Sequence, residues 1–335
     1  MSKSIGNVIA PEEVIKSLGA DVLRLWIASV DYRTEIAASQ EILTRTSETY
    51  RRIRNTARFL LANLHGFDPD QHVVEVNEML ALDRYAVDRA RILQMEILEA
   101  YDTYQFHTVV QKLHNYCVTD LGGFYLDVIK DRQYTMATNS LGRRSAQTAL
   151  YYIAHALVRW LAPITSFTAE EIWHSIPGEK EESVFLTEWY DYLAALPPDE
   201  LMNQDYWEKI RSVREAVNKE IETQRASGAI GSGLEAEVKL FCAPQLKAQL
   251  DALDNELRFV LITSSAEVIA EHAGPADATM TEVPGLAVKV TATTNPKCER
   301  CWHRRPDIGI NAEYPGICGR CVENVAGSGE VRNYA

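Results

Sequence analysis

Four cysteines late in the chain have a spacing that metal chemistry can use. Cys298 and Cys301 form one Cys-x-x-Cys pair, sixteen residues intervene, and Cys318 and Cys321 form the second. Four thiolates supplied as two tight pairs can close a tetrahedron around Zn2+ at about 2.3 Å per bond. Each pair makes a knuckle, and Gly319 supplies backbone freedom for the second turn. A tail of about forty residues holds too few apolar side chains to fold alone, so ligation would supply the missing free energy. A closed four-cysteine site leaves no open position, so one structural Zn2+ is expected and not a hydrolytic centre. A pair of redox dithiols is the competing reading. His303 is a substitute ligand that the regular pattern does not need.

Basic and aromatic residues surround these cysteines: Lys297, Arg300, Trp302, Arg304, Arg305 and Arg320. Such interleaving suits phosphate contact and base stacking. Trp302 filling a mini-core, with the arginines merely solvated, accounts for it equally well. A second basic stripe holds Arg45, Arg51, Arg52, Arg54 and Arg58, opposed locally by Glu41 and Glu48. On a helix Arg51, Arg54 and Arg58 share a face, and a polyanion could dock there; a solvated face is again the plainer reading. Cys117 lies in a hydrophobic stripe and Cys242 at a strand end, so both read as core. His107 and His114 have no ligand-spaced partner. No nucleophile elbow, Walker loop or dinucleotide fingerprint occurs.

The elements that must position these groups are mainly helical. Pro11 suits a first helical position, with Glu12 and Glu13 behind it, and Gly19 a stop. Asp21 can cap the next helix, Val22 to Ala28. From Ser39 four stripes at helical period follow. They are Leu43, Thr46, Tyr50, Ile53, Ala57, Leu60, Leu64; then Leu82, Ala86, Leu93, Ile97, Tyr104; then Phe106, Val110, Leu113, Cys117, Leu121, Phe124, Val128; then Leu150, Ile153, Leu157, Trp160. Each must bury against the others, which gives an antiparallel α-helical bundle. Pro163 ends the fourth helix, and a shorter one follows around Thr168 to Ser175. Past Pro197 and Pro198 the pattern changes. Trp207, Ile210, Val213, Val217 and Ile221 mark a helix, stopped by Gly228, Gly231 and Gly233. Leu234, Ala236, Val238 and Leu240, and later Val288, Val290 and Ala292, alternate at strand period. With helical signal from Leu246 to Leu261 between them, they make a small α/β module ahead of the cysteine-rich tail.

Composition bounds the alternatives. The 335 residues suggest two or three domains. At 46% hydrophobic and 24% charged the chain is neither collagen-like nor wholly disordered. A net charge of −13 rules out a uniformly basic nucleic-acid coat but not a local stripe. Bunched cysteines are unlike a disulfide framework. The longest uncharged apolar-leaning run, Ser145 to Val158, is too short to span a bilayer, and no secretory signal opens the chain. No membrane partner and a cytoplasmic location are therefore expected.

Met1 through Ser29 reads MSKSIGNVIAPEEVIKSLGADVLRLWIAS. This resembles the stretch at and after the Lys-Met-Ser-Lys-Ser signature of class I aminoacyl-tRNA synthetases, with its Gly-Asn, downstream proline and GAD-LRLW helix. The bundle resembles that family's anticodon-binding domain. Ile5, where valyl and leucyl enzymes commonly have lysine, together with the four-cysteine tail, is most similar to the bacterial isoleucyl branch. The resemblance covers essentially the whole chain and implies ATP-dependent charging of tRNA(Ile) with isoleucine, with ATP as substrate and Mg2+ beside it. Lys3 matches the signature's second lysine, which implies an ATP-binding, catalytic ammonium that stabilises charge on departing phosphates.

The tRNA contacts it suggests are Arg51, Arg54, Arg58, Trp302 and Arg304. The expected domains are 1–38 (signature loop and stem-contact-type helices), 39–200 (bundle), 201–294 (α/β module) and 295–335 (zinc tail). The family's His-Ile-Gly-His signature, Rossmann half and editing domain are not in this sequence. The chain thus resembles a C-terminal portion, expected to bind tRNA as a monomer and to use ATP and isoleucine only with the catalytic half. The alternative is a stand-alone zinc-containing nucleic-acid-binding protein. Similar fingers occur in formamidopyrimidine-type DNA glycosylases, but those need an N-terminal proline nucleophile and this chain opens Met-Ser-Lys.

Overall fold

Helix α1 (Pro11–Leu18) starts on proline with Glu12 and Glu13 in its first turn and stops at Gly19, whose φ of 92° favours glycine. The computed structural model describes residues 4, 8–270 and 274–335. Helix α2 (Ala20–Ser29) follows directly, and α3 (Gln40–Asn63) opens where the Ser39 side chain accepts the Ile42 N–H. Leu43, Thr46, Ile53, Ala57 and Leu60 form its buried face, as their spacing requires. The short α4 (Pro69–His72) precedes α5 (Ala81–Asp102), α6 (Phe106–Asn115), α7 (Leu126–Thr135), α8 (Leu141–Leu161) and α9 (Ser166–Ser175). Beyond them lie α10 (Gln204–Ala226), β1 (Ala236–Cys242), α11 (Pro244–Asp251) and α12 (Leu257–Leu261). The last elements are β2 (Ser265–Ile269), β3 (Thr279–Met280), β4 (Leu286–Ala292) and α13 (Gly319–Ala326). The fold is mainly α, with one small mixed sheet. No described helix is long and apolar enough to cross a membrane.

The described chain divides into two compact units. The first comprises residues 1–73, 86–127 and 147–195 and is helical. Leu60, Ile97, Leu113, Ile153 and Trp160 are in its core. The buried Trp160 indole donates to Gln94 Oε1 at 2.9 Å, and Gln94 Nε2 donates to the Tyr190 carbonyl at 2.9 Å, so this indole and this amide are paired inside the core.

Three local expectations are corrected in this unit. Tyr104 is not the last turn of the second stripe: α5 ends at Asp102, and Tyr104, at φ 56° and 65% exposed, turns the chain outward. The third stripe is not one α-helix. Between Tyr116 and Tyr125 it widens into a π-helix that keeps Cys117, Leu121 and Phe124 inside. A Cβ at Gly122 would lie 3.1 Å from the Cys117 carbonyl oxygen, and one at Gly123 3.3 Å from that of Val118, so a side chain at either place would be tightly held. Asp21 does not cap α2, whose N-cap is Gly19 without a side-chain bond. Buried, it accepts the Thr168 N–H at 2.7 Å and the Phe167 N–H at 3.3 Å, and so caps α9.

The second unit comprises residues 74–85, 128–146 and 196–335. Its sheet has the order β2-β1-β4-β3. The two alternating runs seen in the sequence are direct cross-strand partners, Val238 opposite Val290 and Leu240 opposite Val288, in antiparallel register. The first begins at Ala236, since Leu234 belongs to a short 3-10 turn. Strand β2 runs parallel to β1, and its half-exposed residues give no alternation to read. Helix α10 packs on β4 with Ile210, Val213, Val217 and Ile221 buried.

Candidate metal centre and nucleic-acid interface

The Sγ atoms of Cys298, Cys301, Cys318 and Cys321 all lie within 4.8 Å of one another, and all four residues are buried. Cys301 and Cys318 are 3.7 Å apart. The edge of a tetrahedron with bonds of about 2.3 Å is about 3.8 Å, whereas a disulfide requires about 2.05 Å. The donor set therefore fits Zn2+, and all six cysteines of the chain are free thiols.

Backbone geometry builds both knuckles. In the first, the Cys298 N–H donates to the His303 carbonyl at 2.9 Å and the Trp302 N–H to the Cys298 carbonyl at 3.0 Å, with Trp302 itself left-handed at φ 65°. In the second, Cys318 is the N-cap of α13, and its N–H points at Cys298 Sγ, 3.4 Å away. Gly319 serves by close approach. Its N–H donates to Asp307 Oδ2 at 2.8 Å, and a Cβ there would lie only 2.8 Å from that oxygen. Hydrogen bonds with the thiols of Cys301 and Cys321 push Cys318 down to about 3, and a cation at the centre would hold all four as thiolates.

His303 is outside the converging set. It is buried, its Nδ1 lies 3.2 Å from the Cys301 carbonyl oxygen, and its ring meets Phe259 edge-on at 5.6 Å. Ile308 and Ile317 pack against the cysteines and fill the mini-core, while Trp302 is 61% exposed. Lys297 Nζ stands 5.4 Å from its ring centre. Arg304 is engaged, with Nη2 at 2.9 Å from Glu235 Oε1 and its backbone N–H donating to Ser264 Oγ at 2.7 Å.

The stripe on α3 divides. Arg45 pairs with Glu41 and Arg51 with Glu48, each at 2.5 Å, and Arg54 forks onto Glu171 with two bonds of 2.7 Å. The bond to Glu171 holds the Arg54 guanidinium above its ordinary range. Arg52 and Arg58 are exposed and make no ion pair among the described residues. Cys117 and Cys242 are core: burial pushes their thiols up to about 12 and about 11. Lys3 lies outside the described residues.

Sequence reasoning missed two carboxylates on or against α7, of which Asp131 alone reaches the cysteine-rich tail. Asp131 accepts from Arg320 and Arg332, and Asp83 from Arg132 with both side chains fully buried. A signal existed. The stripe Leu121, Phe124, Val128 extended by one turn falls on Asp131 and Arg132, charges on a face otherwise apolar.

Comparison with known proteins agrees with this geometry. Residues 83–240 match the family described as the anticodon-binding domain of tRNA ligase. Residues 295–324 match the zinc finger found in FPG and IleRS, and residues 1–39 the class I tRNA synthetases (I, L, M and V). Isoleucine--tRNA ligase of Pseudomonas aeruginosa strain PAO1 is 60% identical over 335 residues, which is 100% of this chain and 36% of that protein. Those of Methylococcus capsulatus strain Bath and Azotobacter vinelandii strain DJ are 58% and 57% identical, again over 100% of this chain and 36% of theirs. Among solved structures, the Agrobacterium radiobacter K84 LeuRS-tRNA-LeuAMS ternary complex covers 58% of this chain and 22% of that chain at TM-score 0.42 and 18% identity. The chain spans about a third of the length of the curated relatives it matches (36%). Over its whole length the chain is homologous to isoleucine--tRNA ligases at up to 60% identity, and it carries a domain of the anticodon-binding family and a zinc finger of the kind found in FPG and IleRS.

Proposed function

We propose that this chain is the tRNA-gripping part of an enzyme that charges tRNA(Ile) with isoleucine at the expense of ATP. The observation that carries it is the coincidence, on one chain, of an anticodon-binding domain with four buried thiols at tetrahedral spacing in a finger of the isoleucyl type. Cys298, Cys301, Cys318 and Cys321 would hold one Zn2+, whose role is to staple a tail with little apolar core of its own. Arg51, Arg54 and Arg58 would meet phosphates, Arg54 by exchanging Glu171 for one. Trp302 would stack on an unpaired base, and Arg304 would shape the knuckle that presents it. Lys3 would act on the phosphates of ATP beside Mg2+ once the catalytic half is present. These 335 residues alone would bind tRNA as a monomer and form no aminoacyl-adenylate.

The test is a gel shift of the chain with a tRNA bearing an isoleucine anticodon, beside an unrelated tRNA. Preference for the first supports the assignment, and equal retardation of both removes it. Zinc content should be near one per chain and fall in Cys298→Ser and Cys318→Ser; unchanged stoichiometry in both variants removes the metal assignment.

A further inference from the structure

Both knuckles have the same internal pattern, Cys-x-Arg-Cys, with Arg300 before Cys301 and Arg320 before Cys321. Both arginines turn towards one turn of α7. Arg300 Nη1 donates to the Thr135 carbonyl at 2.5 Å. Arg320 forks onto Asp131, with Nη1 to Oδ2 at 2.7 Å and Nη2 to Oδ1 at 2.9 Å, and its Nη1 also reaches Thr135 Oγ1 at 3.3 Å and Glu330 at 3.0 Å. Arg332 donates to the same Asp131 oxygen, and the guanidinium groups of Arg320 and Arg332 lie 5.0 and 3.5 Å from the Phe259 ring centre. Burial works to raise the Asp131 carboxyl, but the charges of Arg320 and Arg332 outweigh it and hold the group well below the usual range. A bidentate fork leaves a guanidinium one orientation. Arg320 sits between two of the four cysteines, so fixing its side chain fixes the backbone that presents them.

We propose that Asp131, on α7 and far outside the cysteine-rich tail, is a positioning residue of the metal centre: through Arg320, with Arg300 on the same turn, it pre-sets both knuckles for Zn2+. This rests on the four-cysteine reading above. Partners that orient ligands from outside the coordination shell commonly change metal affinity by about 10- to 100-fold when removed.

The experiment measures Zn2+ affinity of the full chain by competition with a chromophoric chelator, and records the Co2+ charge-transfer and d–d absorption. It uses the parent chain, Asp131→Asn, and Asp83→Asn, which weakens a still more deeply buried pair with Arg132, the next residue of α7. Asp131→Asn should lose about 10- to 100-fold in affinity and broaden the Co2+ bands, while Asp83→Asn lowers stability and leaves both near the parent. Affinity in Asp131→Asn equal to the parent, or an equal loss in Asp83→Asn, overturns the proposal. A parent chain that takes up no metal overturns the four-cysteine reading itself, a different failure. Should Asp131→Asn not fold, Arg320→Lys, which keeps the charge and loses the fork, must weaken Zn2+ binding in the same direction; unchanged affinity there also overturns the proposal.

Discussion

Asp21 and Thr168 are joined by two hydrogen bonds across 147 residues of sequence, from the Thr168 N–H at 2.7 Å and from its hydroxyl at 2.5 Å to the same carboxylate oxygen. One carboxylate on α2 thus supplies the N-cap that α9 does not take from its own flank. Asp21→Ala leaves buried donors without an acceptor and should cost about 1–3 kcal/mol. Asp21→Asn, which still accepts, should cost less. Urea unfolding checks both, and an alanine variant as stable as the parent would contradict the cap.

The Asp83–Arg132 pair, at 2.6 Å and fully buried, is a different case. The Ser145 hydroxyl also donates to Asp83 Oδ2, at 2.5 Å. Truncating one partner strands the other charge. Asp83→Ala should therefore lose about 3–5 kcal/mol by the same measurement.

Acid should weaken the first unit through His155. Arg159 Nη1, which can only donate, lies 3.1 Å from His155 Nδ1, so the ring is neutral with its proton on Nε2. Burial, then the charges of Arg159 and Lys180, push the group down to about 3 from its ordinary 6.5. Above about pH 6.5 neither state is protonated and the group contributes no slope. Between about 6.5 and 3 the unfolded chain binds the proton and the folded one does not, so stability falls on acidification by up to about 1.4 kcal/mol per pH unit. His155→Phe keeps a ring against Tyr190, stacked at 5.1 Å in the parent, and should remove this component. Urea midpoints at a series of pH values check it; an unchanged slope in the variant would count against it.

For the proposed tRNA contacts, charge at Arg58 and stacking at Trp302 should separate. Arg58→Ala should weaken tRNA binding across sequences and lower the salt slope by about 0.7–0.9. Trp302→Ala should cost about 1–3 kcal/mol of binding with the slope unchanged. Titrations by fluorescence anisotropy at several salt concentrations distinguish the two.

Much of this molecule was legible in its sequence because periodicity and ligand spacing are local. The stripe from Leu43 to Leu64 became the buried face of α3, and the runs at Val238 and Val290 became partners. The four cysteines converge as their spacing required. What local pattern does not carry is partnership at a distance. Nothing beside Asp21 names Thr168, and nothing beside Arg320 names Asp131. The π-turns at Gly122 and Gly123 keep the same residues inside as an α-helix would, so burial periodicity cannot report them. Trp302 was undecided because a knuckle aromatic can fill a mini-core or stand outside it; Ile308 and Ile317 take the interior.

The most direct test of the central claim is the affinity of the zinc-loaded chain for tRNA(Ile), set against the same tRNA with its anticodon loop exchanged for that of another amino acid. At about 0.15 M salt, where nonspecific phosphate attraction is weakened, the native loop should bind at least about tenfold tighter. Equal affinity for the two loops would contradict the account.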